Sequence, residues 1–213
     1  MANDVNSTAA HDTVSRARMM ALIPLGIGLN LALGALVHAL RLPVFLDAVG
    51  TISVTLICGW RAGMTVGVLS FLIAGLLINP VLVWFSATQA VIALYTHVLG
   101  RGGWFRSMPR TVLTGIGLGI VAGMVSAPVI VLVFGGISGS GQSLITAFFL
   151  KTGRQLLESV ALAGIASEPL DKTLQCLLAV WLLRGVPDNI LKRFTGGSLR
   201  KNGFLKEVGE DPE

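Results

Sequence analysis

Residues 19–40 read MMALIPLGIGLNLALGALVHAL, a run of 22 residues with no formal charge. At about 1.5 Å per residue a helix of this length measures about 33 Å, enough to cross the roughly 30 Å hydrocarbon core of a bilayer. The run is longer than the apolar core of a cleavable signal peptide, about 7–15 residues. Val37-His38-Ala39 is also a poor cleavage site, so the stretch predicts an uncleaved membrane anchor. Before it lies an 18-residue segment, polar in character, that carries Arg16 and Arg18, and after it come Arg41 and Pro43.

The rest of the chain follows the same pattern. Charged residues make up 13% of the 213, about half of the roughly 25% usual in soluble domains, while apolar residues reach 53% and mean hydropathy is +0.77. That composition argues against a soluble enzyme and against a nucleic-acid partner, despite the net charge of +5. The reading is an all-α, polytopic membrane protein. It has about six transmembrane helices, with one further interfacial or re-entrant helix.

After the first span the expected crossings are Val44–Cys58, Ala62–Ile78, Val81–Leu99 and Thr111–Phe134. Gly59-Trp60-Arg61 makes a tight turn and Asn79-Pro80 a break, since proline lacks the amide donor and disfavours a helical predecessor. The last third leaves two candidates for the sixth crossing, Ser143–Ala166 and Leu170–Leu183, separated at Ser167-Glu168-Pro169. With the amino terminus inside, Leu170–Leu183 crossing and Ser143–Ala166 kept on the outer side, 12 of the 16 basic residues fall on the inner face, and Arg41, Lys151, Arg154 and Lys172 stay outside. The positive-inside rule favours this map. A rival map, with Ser143–Ala166 crossing and the last helix on the inner surface, scores nearly as well. Either predicts cytoplasmic polar tails at 1–18 and 195–213 around a membrane-embedded domain at 19–194, in the cell (inner) membrane.

Helix contacts in lipid depend on small residues that let backbones approach. Three spans carry such stripes at spacings of 4, 3 and 4: Gly28, Ala32, Ala35, Ala39; Gly63, Gly67, Ser70, Ala74; and Gly115, Gly119, Ala122, Ser126. Each reads first as internal packing and second as a docking face for a membrane partner. A carboxylate at membrane depth is costly unless paired or hydrated. Asp47 therefore reads either as a helix cap or Arg41 partner, or as a group facing an outward cavity. Asp171 and Lys172 are expected at the outer start of the last span. There the helix dipole favours the acid and offers the lysine nothing. Asn79, Gln89, Tyr95, His38 and His97 read first as helix–helix contacts.

The segment from Gly136 to Ser143 has the glycine spacing of a phosphate-binding loop. Gln142 stands where the phosphate-reaching lysine belongs, so it reads as a flexible loop ending at a helix capped by Ser143. Neither a zinc-protease His pair nor a nucleophile elbow occurs, and Cys58 and Cys176 lack metal-ligand spacing. No enzymatic activity, cofactor or metal is expected.

Taken together, Asn30-Leu-Ala-Leu-Gly-Ala35, Leu42-Pro-Val-Phe-Leu-Asp47-Ala-Val-Gly-Thr51, the glycine-rich loop from Gly135 to Gly141, and Glu168-Pro-Leu-Asp-Lys172 give a chain that resembles the substrate-binding S component of an energy-coupling-factor (ECF) vitamin transporter. The likeness covers roughly Met19 to Phe194. It implies capture of a small vitamin or vitamin precursor at the outer face. Uptake would then be driven by a transmembrane coupling subunit and two cytoplasmic ATPases. It also implies substrate contacts at Asp47, Asn79, Trp84, Asp171 and Lys172, and coupling-subunit contacts at Ala32, Ala35 and Ala39. The reading from a different class is a membrane sensor or assembly module that binds a partner through its small-residue helix faces.

Overall fold

A computed structural model of the chain describes residues 2–40, 42, 44–136 and 142–187, with side chains described from Met20 onward. Among these residues the protein is all-helical and has no strand. The elements are α1 (Ala2–Ala39), α2 (Val49–Cys58), α3 (Trp60–Leu77), a 3₁₀ turn (Pro80–Phe85), α4 (Ser86–Arg101), α5 (Met108–Phe134), α6 (Gln142–Lys151) and α7 (Leu156–Arg184). Four helical stretches are long and apolar enough to cross a membrane: Met20–Ala39, Trp60–Leu77, Pro80–Arg101 and Met108–Phe134. Their outer faces carry exposed Leu25, Leu36, Leu69, Leu113, Ile120, Met124 and Leu132. Apolar side chains on the outside of an apolar helix suggest a membrane-embedded protein.

α2 is the centre of the bundle. Every residue from Val49 to Leu56 is buried, Thr51, Ser53 and Thr55 included, so the helix is enclosed on all sides. Ala48, Val49, Ile52 and Leu56 pack with Ile92 of α4, Leu118 and Ala122 of α5, and Cys176, Ala179 and Val180 of α7. Close approach to α2 requires missing side chains. A Cβ at Gly50 would collide with the carbonyl of Gly26 on α1, and one at Gly63 would collide with Thr55.

Two of the three small-residue stripes are internal. Gly63, Gly67, Ser70 and Ala74 are buried on α3, and Gly67 faces Thr51 and Gln89. Gly115, Gly119, Ala122 and Ser126 are buried on α5, where Gly115 meets the backbone of Thr173 and Gly119 that of Pro169. The stripe on α1 differs: Gly28, Ala32, Ala35 and Ala39 are all exposed, and α1 instead buries Gly26, Asn30 and Val37.

The last third departs from the expectation. Neither Ser143–Ala166 nor Leu170–Leu183 is a separate helix; α6 stops at Lys151, and α7 runs 29 residues from Leu156 to Arg184 straight through Ser167-Glu168-Pro169. Proline removes one amide donor and crowds the preceding turn. In an apolar bundle that cost is absorbed where neighbouring helices close around the site, and here Gly119 lets α5 approach at Pro169. Pro24 and Pro128 sit inside α1 and α5 in the same way.

The second expected span also changes. Only Val49–Cys58 is helical, with residues 44–47 outside any helix and Leu46 in the left-handed region at φ 49°. α6 begins at Gln142, so Ser143 lies inside the helix and is not its cap. The polar segment 2–18 continues α1 as helix. Arg41, Pro43, the loop 137–141 and the tail from 188, with Lys192, Arg193, Arg200, Lys201 and Lys206, lie outside the described residues.

One end of the bundle gathers cations. Arg61 begins α3 with its guanidinium 5.3 Å from the Trp60 ring centroid, Arg101 ends α4, and Arg110 lies in the first turn of α5. Arg184 ends α7 and donates to the Arg106 carbonyl at 3.4 Å.

Candidate functional site

α2 starts without a cap of its own: Ala48 occupies the N-cap position and has no side-chain acceptor. The first amides of a helix need partners from outside it, and here distant helices supply them. Gln175 Oε1 of α7 accepts from the Ala48 amide at 3.0 Å, and Asn30 Oδ1 of α1 accepts from the Gly50 amide at 2.7 Å. Asn30 Nδ2 donates to Thr51 Oγ1 at 3.0 Å and to Ser70 Oγ at 3.1 Å. Thr51 Oγ1 donates to Gln89 Oε1 at 2.9 Å, and Gln89 Nε2 donates to the Asp47 carbonyl at 3.4 Å. Three side chains from other helices, Asn30, Gln89 and Gln175, thus clamp the start of α2.

Asp171 holds the segment just before it. Its Oδ1 accepts from the Phe45 amide at 2.8 Å and the Leu46 amide at 3.0 Å. Its Oδ2 accepts from Lys172 Nζ at 2.6 Å and Gln175 Nε2 at 2.8 Å. Asp171 is wholly buried in the middle of α7, so it is not the first-turn cap expected from the sequence. A carboxylate with four donors is a strong fastening in a low-dielectric interior. It explains how Leu46 is kept in a conformation that costs a side-chain-bearing residue about 1 kcal/mol or more.

Lys172 is buried beside it, also mid-helix. Besides Asp171 it has Asp47 Oδ1 and Glu168 Oε2 each at 3.5 Å, and the Phe45 ring centroid at 5.8 Å. One ammonium therefore sits among three carboxylates.

These groups form one wall of a cavity of about 900 Å³, of the size that holds a small organic molecule. The cavity lies between the last turns of α1, α3 and α5, the 3₁₀ turn, the first turns of α4 and α6, and the middle of α7. Its polar side carries Asn30, Asp47, Thr88, Gln89, Gln142, Glu168 and Lys172. Its apolar side carries Ile78, Leu82 and Ile130 and three phenylalanines. The ring centroids of Phe71 and Phe85 are 6.3 Å apart, and those of Phe85 and Phe134 5.7 Å. Three buried polar atoms on this wall have no hydrogen-bond partner among the described residues: Thr88 Oγ1, Gln142 Oε1 and Glu168 Oε2. Buried polar atoms are seldom left so.

Of the residues expected at a site, Asp47, Asp171 and Lys172 come together, although Asp171 fastens the chain behind the cavity and does not line it. Asn79 stands at the cavity's far edge, exposed, and accepts from the Val81 amide at 3.1 Å as cap of the 3₁₀ turn. Trp84 points away; it is 62% exposed and forms no part of the wall. Ala35 and Ala39 lie on the cavity rim as well as on the outer face of α1, whereas Ala32 is on the outer face alone.

Sequence reasoning passed over Asn30, Thr88, Gln142, Glu168 and Gln175 as site residues. Four polar residues of α7, Glu168, Asp171, Lys172 and Gln175, recur at spacings of 3, 1 and 3. That is one face of a continuous helix, a signal lost once Pro169 is taken as a break.

The fold and the cavity together define a helical protein that encloses an amphipathic cavity, and its apolar helices suggest that it is membrane-embedded. No protein-family model, curated protein or solved structure matches the chain.

Proposed function

We propose that this protein is the substrate-binding S component of an ECF-type importer. It would capture a small vitamin or vitamin precursor at the outer face of the cell (inner) membrane for uptake energised by a transmembrane coupling subunit and two cytoplasmic ATPases. The observation that carries the reading is the 900 Å³ cavity, apolar on one side and polar on the other, bordered by residues 44–47. Binding without chemistry asks for such a chamber and no reactive constellation.

In this reading the chain crosses six times. α2, about 15 Å long, completes its crossing with the extended residues before it. Backbone of that kind is tolerated at membrane depth where protein satisfies its amides, as Asp171, Gln175 and Asn30 do here. α7 supplies the sixth crossing, its charged face turned inward. Arg61, Arg101, Arg106, Arg110 and Arg184 gather at the end opposite the cavity, which supports an outer cavity and cytoplasmic termini by the positive-inside rule.

The exposed α1 stripe is the docking face for the coupling subunit. Ala32 tests it best, since it does not touch the cavity. Ala32→Leu should abolish recovery of the coupling subunit and ATPases with the chain while leaving its small-molecule ligand, identified by mass spectrometry of the purified protein, in place. Wild-type chain that carries no organic ligand and recovers no ATPase would overturn the proposal and favour the sensor or assembly module.

A further inference from the structure

Around Lys172 the charges do not balance. Asp47, Glu168 and Asp171 all approach one ammonium, and among the described residues no second lysine or arginine lines the cavity. Asp171 is satisfied by four donors, and Lys172 is drawn to it at 2.6 Å. That leaves Asp47, 23% exposed, and Glu168, 5% exposed, on the wall with weaker contacts. The buried oxygens that no described residue hydrogen-bonds repeat the pattern, Glu168 Oε2 having only its 3.5 Å ion pair with Lys172. Glu168 Oε2 and Gln142 Oε1 are acceptors, and Thr88 Oγ1 can accept as well. The Gln142 amide approaches α7 at Gly164, one turn before Glu168, so both acceptors lie along one side of the chamber. An anion placed there would meet two carboxylates before it reached a lysine that is already engaged.

We infer that the ligand carries a cationic, hydrogen-bond-donating head, such as an amidinium, an aminium or a protonated amino-heterocycle. The head docks between Glu168, Asp47 and Gln142, with an apolar or aromatic body against Phe71, Phe85 and Phe134. The inference rests on the reading of this cavity as the substrate site and adds the chemical class of the substrate. The head donates to Glu168 Oε2 and Gln142 Oε1 and supplies the positive charge that the cluster lacks. The phenylalanine side accepts a ring face or edge.

Three isosteric probes test this on the full chain in lipid nanodiscs: benzamidinium, benzamide and benzoate, followed by saturation-transfer NMR against empty nanodiscs. Benzamidinium should bind at least about tenfold more tightly than benzamide, the factor carried by one hydrogen bond to a charged group, and benzoate more weakly still. In Glu168→Gln the preference for benzamidinium over benzamide should fall to within about twofold. The wild-type comparison stands by itself if that variant folds poorly. Benzamide or benzoate binding as tightly as benzamidinium overturns the charge assignment and leaves the cavity a binding site. A full preference surviving in Glu168→Gln overturns the placement of the head. Absence of saturable binding by all three overturns both this inference and the cavity as substrate site.

Discussion

Asp171→Ala is the perturbation that tests most of the architecture at once. The substitution removes the acceptor of the Phe45 and Leu46 amides and the 2.6 Å partner of Lys172, and it leaves Gln175 Nε2 only its 3.4 Å contact with Asp47 Oδ1. Lys172 keeps Asp47 and Glu168 at 3.5 Å, so its charge is not stranded, and the cost lies in the hydrogen bonds that Lys172 and Gln175 make to the carboxylate, about 1.5–3 kcal/mol each. The two amides would each add about 1–3 kcal/mol if they stayed buried, but residues 44–47 can move out to water. The loss should therefore be about 3–6 kcal/mol, and the segment should open. For a chain of this length each kcal/mol moves a thermal midpoint by roughly 2–4 °C, so the midpoint in nanodiscs should fall on the order of 10 °C. Asp171→Asn keeps an acceptor for the two amides but turns a donor toward Lys172, so it should lose less stability and keep the segment closed. Opening is read by thiol labelling at Val44→Cys in a Cys58→Ala background, since Cys176 is buried. A midpoint within about 2 °C of wild type, with Val44→Cys labelled no faster in Asp171→Ala, would refute the claim that this carboxylate fastens the chain ahead of α2.

Two further outcomes follow from packing and exposure. Gly119→Ala places a methyl against the Pro169 backbone and should cost about 1–3 kcal/mol, whereas Gly28→Ala enters open space and should be neutral or slightly stabilising; thermal midpoints of the pair in nanodiscs check the contrast. Trp84→Ala should leave benzamidinium affinity within about twofold of wild type, because the ring lies outside the cavity wall; a larger loss by the same NMR titration would return Trp84 to the site.

How legible the protein is from its residues depends on the range of the interactions involved. Residues 19–40, 62–78, 81–99 and 111–134 carry their own evidence, because backbone pairing inside a helix is local and apolarity along about 20 residues is sufficient. The turn at Gly59 is local too, with φ 87° at a glycine. Pro169 misleads for the converse reason: its local effect is to break a helix, and the compensating contact at Gly119 is 50 positions away. Lys172 is expected from the sequence at the outer start of a span, where the helix dipole offers it nothing; the fold instead buries it mid-helix among partners that the sequence does not show. Asp47 reaches it from across the fold, and Glu168 lay on the far side of the supposed break.

The residue order alone determined that the chain is helical, which stretches are apolar enough for lipid, and that a few charged groups within them need an explanation. Tertiary structure alone decided that α7 is one helix, that α1 shows its small residues outward while α3 and α5 turn theirs inward, and that Asn30, Gln89, Asp171 and Gln175 hold residues 45–51 in place. The division is physical. Apolarity and helix pairing act between near neighbours in sequence, whereas a buried polar group is satisfied by whichever donor or acceptor the fold brings to it, here 126 positions away for Asp171 and Phe45.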